Sequence, residues 1–283
     1  MSQKVTLLVV GLGWTGEYVV RHLTSIGVSH AATTTTGRNG TVPFRFDPSS
    51  TDPTPYKALP SASTVLITFP LLTKSAPETF RSLYFATHAD APNIILLGST
   101  RFWLCSGGIA WADRHTAPDP STNADRQVAE EAVLAFGGAV LNLAGLWGGT
   151  RQPRNWVSRV AATKEALRGA GSVHLVHGED VARAVWALAE DFTPGERWLL
   201  TDGRVYDWWD LASVWGSAGA VGRGKPPVGP HAGWVRELMA ETGVRGLPRT
   251  PAELGRALDS SEFWTRFNIS PFWPRADDER AAL

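Results

Sequence analysis

Short apolar runs rich in β-branched residues alternate with stretches of helical spacing over the first two thirds of the chain. Alternation of this kind is typical of a parallel sheet covered by helices on both faces. The predicted strands are 5–10, 31–36, 42–47, 64–69, 93–99, 139–143 and 172–176, and the clearest helices follow at 18–26, 125–136 and 179–190. Beyond residue 195 the pattern becomes irregular and rich in Trp, Gly and Pro. The pattern therefore predicts a doubly wound α/β sheet of the Rossmann type with a small C-terminal lobe.

The first strand runs into a glycine-rich turn. Gly11, Gly13 and Gly16 have the G-x-G-x-x-G spacing, and a helix-like stretch follows them. In this context the first glycine permits the tight turn, the second leaves room for a pyrophosphate and the third lets the helix pack on the strand. Trp14 and Thr15 lie inside the same turn. The motif predicts a dinucleotide site at the helix N-terminus, the alternative being an ordinary glycine-rich turn.

The end of the second predicted strand bears on which dinucleotide is preferred. No acid lies between Glu17 and Asp47, whereas Thr35 and Arg38 stand where a 2′-phosphate would be held. We therefore expect NADP(H), with NAD(H) possible, unless Arg38 is a solvated loop charge. Phe69 and Pro70, after the fourth strand, are expected on the adenine-ribose side. Asp47 could accept a hydrogen bond from the adenine amino group or could form a turn.

Composition excludes several other classes of protein. The 27 Lys and Arg residues balance 27 Asp and Glu residues, which gives no indication of a nucleic-acid partner. The single cysteine, Cys105, excludes an intrachain disulfide and any multi-cysteine metal site, and we expect no metal. No apolar run approaches the ~20 residues that span a bilayer, and no signal peptide is evident. The sequence predicts a cytoplasmic protein without membrane contact, a monomer or homodimer that binds a small molecule.

Within one integrated domain, residues 1–145 would form the dinucleotide-binding core and 146–283 the remaining sheet elements and a Trp-rich substrate lobe.

Four segments, spread over about residues 4–200, resemble the extended or atypical short-chain dehydrogenases. They are most similar to the YeeZ-like branch of the NAD(P)-dependent epimerase/dehydratases. The segments are 11–16 (GLGWTG), 98–103 (GSTRFW), 142–149 (NLAGLWGG) and 175–182 (LVHGEDVA). The stretch from about residue 206 to 283 carries no such resemblance.

The resemblance implies a serine after the fifth strand and a Tyr-x-x-x-Lys pair on the next helix, with the Tyr as general acid/base. Ser99 matches the serine, with Thr100 beside it. Asn123 and Gln127 stand at the Tyr and Lys positions, and Asn cannot relay a proton. Ser99 and Asn123 are therefore expected to position the reacting group.

The missing tyrosine requires another proton source, and the loop between the fifth strand and the helix supplies candidates. His115, oriented by Asp113, is the best of them, although both could be solvated loop residues. Arg126 could supply a positive charge near the nicotinamide or could be exposed. Cys105 is expected to be a small buried residue, not a nucleophile.

Tryptophan outnumbers tyrosine 13 to 4, and Trp14, Trp103 and Trp147 all follow predicted strand ends. We expect these three side chains along a rim that favours a bulky, apolar substrate. His177 is a further candidate for the substrate pocket. Asp180 is expected to cap the following helix.

The sequence thus predicts an NADP(H)-dependent oxidoreductase that reduces a C=O or C=N bond of a bulky apolar molecule. A non-redox isomerase or cyclase on the same scaffold is an alternative. A dinucleotide-sensing regulator resembling the NmrA-like proteins is another.

Overall fold

The structure is a computed structural model that describes residues 4–103, 111–119, 121–122, 124–216 and 229–273. The strands are β1 (Val5–Val10), β2 (His30–Thr34), β3 (Val42–Pro43), β4 (Ala62–Ile67), β5 (Asn93–Ser99), β6 (Trp111–Ala112), β7 (Ala139–Leu143), β8 (Gly145–Trp147), β9 (Ser172–Val173), β10 (Leu175–His177), β11 (Arg197–Leu200), β12 (Tyr206–Asp207) and β13 (Ala257–Leu258). The helices are α1 (Trp14–Ser25), α2 (Ser75–Phe85), α3 (Ala124–Ala135), α4 (Val157–Val160), α5 (Lys164–Arg168), α6 (Gly178–Glu190), α7 (Trp208–Trp215), α8 (His231–Thr242), α9 (Pro251–Leu254) and α10 (Ser261–Arg266).

Seven strands form one parallel sheet in the order β11-β7-β5-β4-β1-β2-β3. The order reverses beside β1, where the chain first leaves towards β2 and β3 and then returns to β4. A crevice opens at such a reversal, outside the carboxyl ends of the strands, and ligands of open α/β sheets bind there. The predicted Rossmann-type fold is confirmed.

Each strand of the central sheet sends alternate side chains to opposite faces, and both faces are covered. Leu7 and Val9 of β1 pack under α1 and α6, whereas Leu8 and Val10 pack under α2 and α3. All four side chains are fully buried. Strands buried on both faces read as continuous apolar runs, which is why β1, β5 and β7 could be located from the sequence.

The third strand is shorter than predicted. It was expected over 42–47, but pairing with β2 involves only Val42 and Pro43. Phe44 and Phe46 instead turn towards α2, where Phe44 contacts Tyr56 and Phe80. The apolar residues of this segment therefore pack against neighbouring side chains at the edge of the sheet, and they do not extend the backbone pairing between β2 and β3.

The C-terminal half contributes both to the sheet and to a separate apolar cluster. β11 completes the sheet, and Phe263 and Trp264 of α10 share a core with β1. A second cluster joins α4, α5, α7 and α8 around Trp208 and Trp209. None of the described helices is long and apolar enough to cross a membrane.

Candidate functional site

The glycine turn between β1 and α1 is held by its neighbours and leaves no room for side chains at two positions. Gly11 has φ +105°, and its N–H donates to Thr33 Oγ1 at 3.0 Å. Thr68 Oγ1 donates to the Gly11 carbonyl at 2.6 Å. A Cβ on Gly16 would lie 2.7 Å from the Gly11 carbonyl oxygen, whereas a Cβ on Gly13 would meet nothing within 4 Å. The open side at Gly13 is the side from which a phosphate would approach the N-terminus of α1.

An outer groove extends from this turn along the ends of β2 and β4. Its apolar walls include Phe46 and Phe69, whose rings stack 5.9 Å apart. The groove is lined by Gly11, Thr33, Thr34, Thr35, Phe44, Arg45, Phe46, Pro48, Phe69, Pro70, Leu71, Leu72, Thr73 and Ala76. Thr35, Phe69 and Pro70 thus lie together, as expected for the adenosine side of a cofactor.

Two arginines lie in the segments that follow β2 and β3. Arg38 donates to the Leu12 carbonyl at 3.1 Å, which directs its guanidinium towards the glycine turn, and it lies 3.7 Å from Glu17. Arg45, which sequence reasoning missed, lines the groove directly. Arg45 lies within the predicted third strand, and nothing in that pattern indicated a position on a groove.

Asp47 does not line the outer groove. Its carboxylate accepts hydrogen bonds from the backbone N–H and the hydroxyl of Ser49, at 2.8 and 2.6 Å. These bonds lower the pKa of Asp47. Of the two roles expected for Asp47, the structure shows the turn: its hydrogen bonds with Ser49 stabilise the Pro-containing loop.

A central cleft of about 620 Å³ opens beyond the glycine turn and meets the outer groove at Pro70. It lies across the carboxyl ends of β1, β4, β5 and β7. Its walls are Gly13, Trp14, Thr15, Thr68, Pro70, Leu97, Gly98, Ser99, Arg126, Leu143, Ala144, Leu146, Arg151, Trp156 and Arg159. The structure therefore brings Ser99 together with Trp14 and Thr15, which come from a distant part of the sequence.

Ser99 is fixed from behind by a buried polar pair. Asn142 Nδ2 donates to the Ser99 carbonyl at 3.1 Å and to Glu130 Oε2 at 2.7 Å. Gly98 permits this approach, since a Cβ there would lie 2.3 Å from Asn142 Nδ2. Glu130 and Asn142 are fully buried, and sequence reasoning missed both because Glu130 lies on a helix with mostly exposed charges.

Glu130 also holds the arginine of the cleft. Arg126 Nε lies 3.4 Å from Glu130 Oε1, and Arg126 Nη2 donates to the Leu97 carbonyl at 3.0 Å. Burial outweighs the nearby Arg126 and Arg197 charges and raises the pKa of Glu130 to about 7. Arg126 thus lines the same cleft as Ser99 and is partly buried, with its guanidinium held by Glu130 and the Leu97 carbonyl.

Gln127, which stands at the position of the lysine expected from the family resemblance, makes structural hydrogen bonds. Gln127 Nε2 donates to the carbonyls of Asp119 and Thr122, both at 2.6 Å, and so holds the segment that leads into α3. Asn123 and Cys105 lie outside the described residues. None of the chain's four tyrosines lines the central cleft.

Thr100 and Trp103 were expected in the substrate pocket, and the structure places them elsewhere. After Ser99 the chain enters a 3₁₀ turn at Thr100–Phe102 that leads it below the surface. Thr100 donates to the Leu143 carbonyl at 3.3 Å, and Trp103, only 1% exposed, donates to the Thr116 carbonyl at 2.7 Å. Trp103 packs with Phe102, Ala112, Leu199 and Leu258, so the expected rim position is wrong.

Trp147 and His177 are likewise buried and not on the cleft. Their rings contact each other at 4.6 Å, and His177 also contacts Trp273 at 4.8 Å. His177 Nδ1 accepts from the Glu179 N–H and caps α6, which was the role expected for Asp180. Asp180 instead accepts the backbone N–H groups of Phe272 and Trp273. Packing of the C-terminal segment against α6 decides this arrangement, and no local pattern indicated it.

His115 is exposed and lies outside the central cleft. Its Nε2 is 3.0 Å from Glu262 of α10, and its backbone N–H donates to Asp113. Asp113 also accepts from Thr116, so its carboxylate shapes the loop instead of orienting the imidazole. The structure does not support His115 as the proton donor. In the described part of the chain no three His, Cys, Asp or Glu side chains gather as a metal site.

The sequence matches no protein-family model and no curated protein. Solved structures nevertheless share its fold over almost the whole chain. Vestitone reductase from alfalfa is 17% identical with a TM-score of 0.68, covering 98% of this chain and 96% of its own. A protein from Methylobacillus flagellatus assigned to the NAD-dependent epimerase/dehydratases is 15% identical with a TM-score of 0.62, covering 99% and 97%. MoeE5, solved with UDP-glucose and NAD, is 16% identical with a TM-score of 0.60, covering 94% and 93%.

These likenesses define the class of fold. The chain has the Rossmann-type architecture of NAD-dependent epimerase/dehydratase and reductase structures, as its resemblance to the extended short-chain dehydrogenases predicted. At identities of this order the comparison concerns the fold alone, and activity must be argued from the site.

Proposed function

We propose that the protein is an NADP(H)-dependent oxidoreductase of a small organic molecule with a reducible C=O or C=N bond. The observation that carries this proposal is the continuous site at the carboxyl edge of the sheet. The open space beside Gly13 lies at the central cleft with Ser99 and Arg126, and this cleft meets the outer groove, which suits adenosine, at Pro70. The reductase and NAD-bound structures of the same fold support it.

The residues present fit a nicotinamide dinucleotide. The N-terminus of α1 suits the pyrophosphate, and Phe69 and Pro70 suit the adenosine end. Arg38 and Arg45 supply the positive charge that an adenosine 2′-phosphate needs, and Thr35 lines the groove together with Arg45. Bound there, the cofactor would supply or accept a hydride in the central cleft.

The chain's own contribution is to orient and polarise the substrate. Ser99 lines the cleft, and its hydroxyl, which accepts from the Arg101 N–H at 3.3 Å, can still donate to a carbonyl oxygen or imine nitrogen. The Arg126 guanidinium would stabilise negative charge that develops there. None of the described residues that line the cleft is a tyrosine, and the proton would come from water or from a loop residue.

Cofactor titration tests the proposal. Intrinsic tryptophan fluorescence, reported by Trp14 in the glycine turn, would follow binding of NADPH, NADP, NADH and NAD. We expect NADPH to bind at least ten-fold more tightly than NADH. The variants R38Q and R45Q should weaken NADPH binding about 10- to 100-fold, as for a lost charged hydrogen bond, and leave NADH binding unchanged.

The control is R81Q, on the exposed surface of α2, which should bind every nucleotide as the wild type does. Equal affinities for NADPH and NADH would contradict the preference for the phosphorylated cofactor. If none of the four nucleotides binds, the oxidoreductase function is wrong and a cofactor-free isomerase or cyclase takes its place. Binding of both redox forms without turnover of any carbonyl or imine would favour a dinucleotide-sensing regulator.

A further inference from the structure

Three arginines line the central cleft, and no carboxylate does in the described part of the chain. Arg126 comes from α3, whereas Arg151 and Arg159 come from the segment that follows β8. A cleft whose walls carry one sign of charge concentrates ligands of the opposite sign. The walls of the cleft therefore favour a negatively charged ligand.

In the described part of the chain, Arg151 and Arg159 lack the acidic partner that nine other arginines have. Elsewhere an arginine is commonly matched by an acid, as in the ion pairs of Arg114, Arg168, Arg183, Arg197, Arg249 and Arg266. Among the described residues no carboxylate forms an ion pair with Arg151 or Arg159. The Arg151 guanidinium lies 4.5 Å from the centre of the Trp14 ring, and both arginine side chains are exposed at the cleft.

The central cleft also has apolar side chains in its wall. Leu143, Ala144 and Leu146 line it, and Trp156 lies on the same segment as the two arginines. This wall of the cleft thus combines positive charge with apolar side chains. An organic anion with an apolar carbon skeleton matches both features.

We propose that the substrate carries a carboxylate or phosphate group, bound by Arg159 with the help of Arg151, and an apolar body that lies over Leu143 and Leu146 towards Ser99. This inference rests on the proposed function and narrows its substrate class. The expected apolar substrate had been based on three tryptophans, two of which are buried in the core. The arginines of the cleft replace them as the determinant of specificity.

A competing explanation is that the arginines bind phosphates of the cofactor, and the experiment separates the two. Benzoate, phenyl phosphate and the neutral control benzamide would be titrated into the protein, both free and saturated with NADPH, by calorimetry. We expect at least one of the two anions to bind the NADPH-saturated protein ten-fold or more tightly than benzamide. Its affinity should fall as salt is raised. Which anion binds better distinguishes a carboxylate from a phosphate site.

Variants assign the binding to the proposed residues. R159Q should weaken binding of the preferred anion about ten-fold while the affinity for NADPH stays unchanged, and R159K should retain most of the anion affinity. The matched control is R154Q, since Arg154 lies on the same segment and does not line the cleft.

Three results would overturn the inference: equal binding of the anions and benzamide, competition between the anions and NADPH, or unchanged anion binding in R159Q. Failure of the proposed function looks different. If the preferred anion binds in an Arg159-dependent manner but no nicotinamide nucleotide binds, the anion subsite stands and the oxidoreductase function is wrong.

Discussion

At the scale of single residues, the glycines of the first turn have separable roles. Gly16 is required by its neighbours, since any side chain there would press on the Gly11 carbonyl. At Gly13 the protein itself leaves room for a side chain, because no protein atom lies within 4 Å of a Cβ there and any residue can adopt its φ of −92°. A glycine at this position is therefore needed only for a bound pyrophosphate. Stability and cofactor affinity should therefore respond differently to substitution at the two positions.

We predict that Gly16→Ala lowers the free energy of unfolding by about 1–3 kcal/mol, the usual cost of overpacking, and also weakens NADPH binding. Gly13→Ala should change the free energy of unfolding by less than about 1 kcal/mol but weaken NADPH binding ten-fold or more. Urea unfolding and fluorescence titration measure the two effects. Wild-type NADPH affinity in Gly13→Ala would mean that the pyrophosphate does not lie at this turn.

Residue types alone were a good guide where a local geometry demands them, and a poor guide elsewhere. Glycine spacing located the turn, and Ser99 was placed by the end of its strand. Trp103, Trp147 and His177 also follow strand ends, yet they are buried. Whether a side chain at a strand end faces a cleft or the core depends on where the following segment goes, and that is set by distant contacts.

At the scale of elements, one buried ion pair joins three parts of the C-terminal cluster. Asp207 caps α7 by accepting the Trp209 N–H at 2.8 Å, and it pairs with Arg249 Nη2 at 2.6 Å. Arg249 also donates to the Ala170 carbonyl at 2.7 Å, and its guanidinium lies 3.9 Å from the centre of the Trp209 ring. The start of α7, the turn after α5 and the approach to α9 are thus tied together.

We predict that Arg249→Met lowers the free energy of unfolding by about 3–5 kcal/mol, because it leaves the Asp207 carboxylate buried without its partner. The double variant with Asp207→Asn should lose less than the sum of the two single losses, since the charges are removed together. The control is Arg168→Gln, in an exposed network with Glu165 and Glu241, which should lose less than about 1 kcal/mol. Additive losses in urea unfolding would contradict the coupling.

At the scale of the whole molecule, buried ionisable groups link stability to pH. Burial raises the pKa of Glu130 from 4.5 to about 7 and that of Asp202 from 3.8 to about 7. The folded state then holds more protons than the unfolded state between these values, so the two groups lower stability as pH rises towards 7. His174 acts in the opposite direction, because burial lowers its pKa from 6.5 to about 3.

Since these groups partly cancel, a comparison of variants isolates one of them. We predict that Glu130→Gln becomes more stable relative to the wild type as pH rises from about 4.5 to 7. The total gain should be on the order of 3 kcal/mol, the free energy that corresponds to the raised pKa of Glu130. Glu131→Gln, the neighbouring exposed residue, should show no such trend. A constant difference between Glu130→Gln and wild type in urea unfolding across this pH range would mean that the Glu130 carboxyl is ionised throughout.

The amino-acid sequence alone was enough to predict the parallel sheet, six of its seven strands and the position of the glycine turn. The seventh strand is β11, whereas 172–176, predicted as a further strand, forms β9 and part of β10 outside the main sheet. The predicted strands depend on local hydrophobic periodicity, and the glycine turn depends on backbone conformations that few residues adopt. Both can therefore be recognised in short segments of the sequence. It also located Ser99, because the carboxyl ends of parallel strands meet at one edge of the sheet.

Only the tertiary structure decided which side chains line the cleft. Burial of Trp103, Trp147 and His177, the Glu130–Asn142 pair behind Ser99 and the gathering of Arg126, Arg151 and Arg159 all depend on contacts between segments far apart in the chain. A single sequence contains the residues that make such contacts, but it does not indicate which residue contacts which. The chemical character of the cleft therefore changed from an aromatic rim to a cationic wall once the segments were brought together.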